Sequence, residues 1–127
     1  MAANTLSADP PVLLVCVSRA ARACSIIAKT RAFSVNVLAE DQFHVAQVFA
    51  GASPEVRFSH GAWEMQRGLP ILARSAASFL CDVIDTKVAG THMMFFGGVV
   101  SVTAGRGGVL LYRGGAYGAF NGLPAHA

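Results

Sequence analysis

The stretch from Ser78 to Val102 constrains the fold more than any other part of the chain. Two long apolar runs, SFLCDVIDTKV and HMMFFGGVVSV, flank Ala89-Gly90-Thr91, and the first alternates through Phe79, Cys81 and Val83 with Asp82 opposite. Period-two alternation of this composition reads as strand. Gly90 is placed to turn one run back on the other, so the pair is predicted to be a β-hairpin, with Gly97-Gly98 marking a bulge or bend. His92 stands at that turn. It is either a plain turn residue or a ring nitrogen placed to touch a ligand.

The remaining segments are read against this hairpin. VLLVCV, Val12 to Val17, is a continuous apolar run between Pro-Pro and Ser-Arg, the length of a strand buried on both faces. ARACSIIAK after it reads as a short helix, and FSVNVL, Phe33 to Leu38, as a second strand. Glu40 to Ala50 has acids in its first turn and apolar residues at helical spacing, with Gly51 just past its end. Gly51 to Pro70, with the single Trp63, is a long connection. GRGG, 105–108, is a turn, and VLLYR, 109–113, a further strand. With no repeat and no linker, residues 1–127 form one domain, mainly β (α+β) with one or two short helices.

Composition excludes several classes. Residues are 54% hydrophobic and 13% charged, which implies a surface covered by a partner subunit. No run approaches the roughly 18–20 apolar residues of a membrane span. The start lacks a basic region and is interrupted by Asp9-Pro10-Pro11, which argues against a signal peptide and for the cytoplasm. Ten basic residues against seven acidic ones, without a stripe of bases and aromatics, give no nucleic-acid surface; a local anion such as phosphate suits scattered Arg better. Cys16, Cys24 and Cys81 lack disulfide or zinc spacing and read as reduced, mostly core-facing thiols.

Familiar motifs fail on inspection. Gly105-Arg106-Gly107-Gly108 lacks the third glycine and the following helix of a dinucleotide fingerprint. GASPE around Ser53 lacks the second glycine of a nucleophile elbow. His44, His60, His92 and His126 share no ligand spacing, so no metal site is expected. The seven carboxylates offer no acid/base pair; Asp82 and Asp85 fall on opposite faces of one strand.

Taken in order, DPPVLLVCVSR (9–19), FSVNVLAEDQ (33–42), VFAG (48–51), GTH (90–92) and LLYRGGAYG (110–118) resemble the flavin reductase-like family, the FMN-binding split barrel. The resemblance implies a homodimer of split β-barrels that binds FMN (or FAD) non-covalently and takes hydride from NADH or NADPH. It also implies a flavin-dependent monooxygenase partner that receives the reduced flavin. Carried over to this chain, it assigns flavin binding to Thr5, Ser7, Ser18 and Arg19, with Ser18 where the family usually has Asn. Asn36, mid-strand among apolar residues, either ties down a neighbouring loop or meets the flavin, and the structural role is favoured. Of Phe49, Ala50 and Gly51, Gly51 permits close backbone approach, while Phe49 either contacts the flavin or closes its helix onto the core. Gly90, Thr91 and His92 match the family's GDH motif on the nicotinamide side, with Thr91 in place of Asp. Tyr117 matches an aromatic that lines the pocket or packs on the sheet. Family members usually carry a helix and one or two strands before the segment that opens this chain, so the expectation is either a true start upstream or a form shortened at its N-terminus that binds flavin poorly. The alternative is a flavin- or ligand-binding split barrel without turnover.

Overall fold

The computed structural model describes residues 2–51 and 53–125; His126, weighed above, lies outside them. In chain order the elements are β1 (Ala2–Ala8), β2 (Pro11–Ser18), α1 (Arg22–Thr30), β3 (Ala32–Val37), α2 (Phe43–Gly51) and a 3-10 helix (Pro54–Ser59). Then follow β4 (Trp63–Gln66), β5 (Leu69–Leu72), β6 (Ala77–Ala89), β7 (His92–Ala104), β8 (Leu110–Arg113) and β9 (Ala116–Ala119). The architecture is mainly β with two α-helices, as the hydrophobic patterning predicts. Two compact units are built from these elements: Met1–Val35 with Arg67–Leu69 and Phe79–Thr103, and Asn36–Gln66 with Pro70–Ser78 and Ala104–Ala127.

The predicted hairpin, β6 and β7, lies in a five-stranded sheet of order β1-β2-β7-β6-β3. Gly90, with φ of 59°, opens its two-residue loop at the position where tight hairpin turns favour glycine. In the first unit β2 pairs with β7 antiparallel, from Val12 opposite Gly98 to Ser18 opposite His92. Directly paired residues share a face, and alternate residues point the same way. Leu13, Val15, Val17 and Phe95 therefore point to one side, where they join Phe33, Cys81, Val83 and Cys24 of α1 in one buried cluster. Each such large side chain contributes roughly 1.5–3 kcal/mol by leaving water. Ala23 and Ile27 set the rest of the apolar stripe of α1 on this cluster.

The expected bulge at Gly97-Gly98 is not found in the pairing with β2, whose register runs through both glycines without a shift. Glycine is needed at 97 for another reason. A Cβ there would overlap the tip of the Phe33 ring and lie 2.8 Å from Cys81 Cβ. The bulge falls instead in β1, where Thr5 faces Leu13 and Ser7 faces Val12, leaving Leu6 unpaired.

The second unit corrects two further expectations. Helix α2 starts at Phe43, not Glu40, and Gly51 is its last residue. The backbone of 38–40 is engaged elsewhere: Glu40 N–H donates to the Gly108 carbonyl at 3.1 Å, and Leu110 N–H to the Leu38 carbonyl at 2.9 Å. With Ala39 bridged to Val109, these residues are extended, and Gln42 begins the turn instead by accepting the Ala39 N–H on its side-chain oxygen at 2.9 Å. The stretch 51–70 is not an unstructured connection. It contains the 3-10 helix and β4, which pairs with β5 through Arg67 and Gly68, both at positive φ. Phe49, Phe58 and Trp63 cluster there, with ring centroids 4.9–5.8 Å apart.

All three cysteines are free, with Cys24 and Cys81 buried and Cys16 half-buried. Burial, then the negative charge of Asp82, pushes the Cys81 thiol up to about 11. Among the described residues no helix is long and apolar enough to cross a membrane.

Candidate functional site

The paired ends of β2 and β7 bring four of the sequence-predicted residues together. Ser18 sits directly opposite His92 on one face of the sheet. Arg19, the next residue, donates its backbone N–H to the Thr91 carbonyl at 2.9 Å, which ties the exit of β2 to the β6–β7 loop. The Ser18 hydroxyl accepts the Ala20 N–H at 3.3 Å and its carbonyl accepts that of Ala21 at 3.0 Å, so the chain turns at once into α1. Thr91 Oγ1 lies 3.0 Å from His92 Nδ1. In either tautomer this bond orients the ring and leaves Nε2 as the nitrogen available to a ligand. The Arg19 guanidinium is exposed and has no partner among the described residues.

Behind this corner the same face carries Leu14 opposite Phe96 and Cys16 opposite Met94. All four are half-buried, whereas their neighbours on the other face form the core. The result is an apolar strip ending in the Ser18 hydroxyl and the His92 imidazole, with Arg19 the next residue along the chain.

Thr5 and Ser7 do not join the corner. Thr5 pairs with Leu13, five residues from Ser18, which is about 17 Å along a strand. The β1 bulge also puts the two on opposite faces: Thr5 shares a face with Leu13 and Ser7 with Val12. Spacing alone places i and i+2 on one face, and a bulge is not visible in such a pattern.

The other predicted residues belong to the second unit. Asn36 is committed internally: Oδ1 accepts from Leu72 N–H at 3.0 Å and from the Ser78 hydroxyl at 2.7 Å, and Nδ2 donates to the Pro70 carbonyl at 3.2 Å. Phe49 packs against Phe58 and Trp63. Ala50 and Gly51 are exposed, and a Cβ on Gly51 would meet nothing within 4 Å, so the helix end is open to close approach from outside. Tyr117 is half-buried beside Tyr112, centroids 5.1 Å apart. It lines a groove of about 510 Å³ with Glu40, Phe43, Gln47, Gly118 and Ala119. Glu40 reads from sequence as an acid of a first helical turn and Phe43 as part of its apolar spacing, and nothing in the spacing of Glu40, Phe43 and Gln47 points to β9. Among the described residues no group of three or more His, Cys, Asp or Glu is placed to hold a metal ion.

The strand layout is that of the split barrel found in flavin reductases. The NADH:FAD oxidoreductase of Streptomyces globisporus, solved in complex with NAD and FAD fragments, matches 94% of this chain and 73% of its own, with a TM-score of 0.86 and 27% identity. The chain belongs to the flavin reductase like domain family, whose model matches residues 1–121. Among curated proteins it is 35% identical over 119 residues to the reductase component of the 4-nitrophenol 4-monooxygenase/4-nitrocatechol 2-monooxygenase of Rhodococcus opacus, covering 94% of this chain and 64% of that protein. It is 38% identical over 112 residues to the FMN reductase (NADH) RutF of Bradyrhizobium diazoefficiens, covering 86% of this chain and 62% of the relative. The chain thus spans less than two thirds of the length of these curated relatives.

Proposed function

We propose that the protein is an NAD(P)H:flavin oxidoreductase that supplies reduced flavin to a partner monooxygenase. The observation that carries this reading is the β2–β7 corner, where Ser18, Arg19, Thr91 and His92 converge in a chain of this family. A bound flavin supplies the hydride acceptor, and the nicotinamide cofactor the donor.

The donor set fits a flavin. A planar, largely apolar ring system suits the strip formed by Leu14, Cys16, Met94 and Phe96, and a phosphate suits the unpartnered Arg19 guanidinium. Arg19 holds the anion, and the Ser18 hydroxyl is within the same turn for a ribityl or phosphate oxygen. Thr91 holds the His92 ring so that Nε2 would be free to hydrogen-bond the nicotinamide carboxamide. Fixing donor and acceptor in contact is where the rate gain arises, since no protein acid or base is required. In this reading Ser7, on the face of Val12, Leu14 and Cys16, makes a further flavin contact, whereas Thr5, on the opposite face, does not. Asn36 and Phe49 keep structural roles within their own unit.

Relatives named as reductase components support transfer of reduced flavin to a separate oxygenase. The reading includes a homodimer, in keeping with the hydrophobic composition, and a cytoplasmic location, where reduced nicotinamide is regenerated. Relatives named for FMN with NADH and for FAD with NADH support both flavins and favour NADH. Purified protein should consume NADH or NADPH only when FMN or FAD is added. If none of the four combinations exceeds the rate without protein, the reading is wrong.

A further inference from the structure

We infer that the groove beside β9 binds an adenosine 5′-phosphate group, and that Glu40 there rejects a 2′-phosphate and so selects NADH over NADPH. The inference rests on the reductase reading and extends it to a part of the molecule that the reading leaves unused.

The groove arises because 38–40 pairs with 108–110, which sets the first turn of α2 beside the β8–β9 hairpin. Phe43 and Tyr117 bring two aromatic rings to it, with Gln47 one helical turn beyond Phe43. Its volume of about 510 Å³ lies within the roughly 300–1,000 Å³ of small-molecule sites. Aromatic side chains bind a base by stacking. A glutamine amide can pair with both N6 and N7 of adenine, donating to one and accepting from the other. Adenine is therefore the base this lining matches.

Glu40 supplies the second half of the argument. Its carboxylate rests on Gly108, where any Cβ would overlap it, and it has no hydrogen-bond or ion-pair partner among the described residues. A free carboxylate beside an adenine pocket accepts hydrogen bonds from ribose hydroxyls, and it repels a phosphate on the 2′ position. Gly108, the last residue of the Gly105-Arg106-Gly107-Gly108 turn, lies directly against that carboxylate. A second groove shares Tyr117, Gly118 and Ala119 with the first and is lined by Arg113. Arg113 is exposed and unpartnered among the described residues, and a 5′-phosphate would find its counter-charge there.

NADH and FAD both carry an adenosine 5′-phosphate group, and FMN does not. Calorimetric titration of the intact protein with 5′-AMP and with 2′,5′-ADP tests the inference without any redox step. AMP should bind at least tenfold tighter than 2′,5′-ADP. Glu40→Gln should reduce that ratio to about threefold or less. Tyr117→Ala should weaken AMP about tenfold, and Tyr117→Phe, which keeps the stacking ring, should restore binding; thermal melts of each variant separate loss of binding from loss of fold. Displacement of NADH by AMP is expected and assigns the group to the nicotinamide cofactor; displacement of FAD alone would overturn the selection of NADH. Absence of AMP binding at millimolar concentration, a ratio unchanged in Glu40→Gln, or tighter binding of 2′,5′-ADP would overturn the inference. Flavin-dependent NADH turnover that persists despite such a result would leave the reductase reading intact.

Discussion

Replacing Asn36 with alanine removes three hydrogen bonds at once, two to its Oδ1 at 3.0 and 2.7 Å and one from its Nδ2 at 3.2 Å. Two of the partners, Leu72 and Ser78, are only 1% and 3% exposed. Water therefore cannot replace the lost acceptor for the Leu72 N–H. A stranded buried donor costs about 1–3 kcal/mol and a lost bond with a remaining partner about 1 kcal/mol. Ser78 keeps the Ser75 hydroxyl at 2.8 Å, so the sum is about 3 kcal/mol. An unfolding entropy of about 2.1 cal/mol/K per residue gives ~0.27 kcal/mol/K for 127 residues. The melting temperature should therefore fall by about 11 °C, read by circular dichroism. Ser78→Ala removes one of the three bonds and also the contact with the Ser75 hydroxyl, and should cost about 2 kcal/mol. Flavin affinity, measured well below the melt, should be unchanged in both variants. If Asn36→Ala melts within about 3 °C of wild type and binds flavin at least tenfold more weakly, Asn36 is a cofactor contact and the hydrogen-bond argument fails.

Gly97→Ala should destabilise by roughly 1–3 kcal/mol through overpacking against Phe33 and Cys81. In a Phe33→Leu background the same change should cost less, with a coupling of about 1 kcal/mol in a double-mutant cycle. The buried Cys81 thiol, pushed up to about 11, stays neutral in the folded protein, while the unfolded chain ionises near its ordinary 9.0. The unfolded state then binds fewer protons, so stability should fall as pH rises from about 9 to about 11, by denaturant titration, and Cys81→Val should flatten that slope. His92→Ala should raise the KM for NAD(P)H or slow flavin reduction about two- to tenfold, the worth of one net hydrogen bond. Flavin affinity should not change; an unaltered KM and rate would leave His92 as a turn residue.

Much of the fold is legible because strand periodicity is a local property. The buried run 12–17, the 78–102 hairpin with its Gly90 turn, and helix α1 all lie where their apolar patterns place them. Helix α2 begins late because Ala39 and Glu40 are held by residues near 108, a pairing about seventy positions away that no local pattern announces. The β4–β5 hairpin was missed because its strands are only four residues each and turn at Arg-Gly, without the usual Asn-Gly or Asp-Gly signal. For the site, the grouping of Ser18 and Arg19 with Thr91 and His92 follows from the segments the resemblance singles out, and cross-strand register explains it. The separation of Thr5 from Ser7 depends on a single unpaired residue, Leu6, and the Glu40–Tyr117 groove on chain pairing far apart in sequence. Neither leaves a mark in composition or spacing.

The account stands most directly on the β2–β7 corner as the place where nicotinamide and flavin meet. Anaerobic mixing of the protein with flavin and excess NADH, followed by bleaching of the flavin absorbance, measures hydride transfer in a single turnover. The account predicts reduction much faster than in the absence of protein. Arg19→Ala should require about tenfold more flavin for the same rate, the worth of one charge-assisted contact, and His92→Ala should act through the NADH dependence. A rate equal to that without protein, or variants of Arg19 and His92 indistinguishable from wild type, would contradict it.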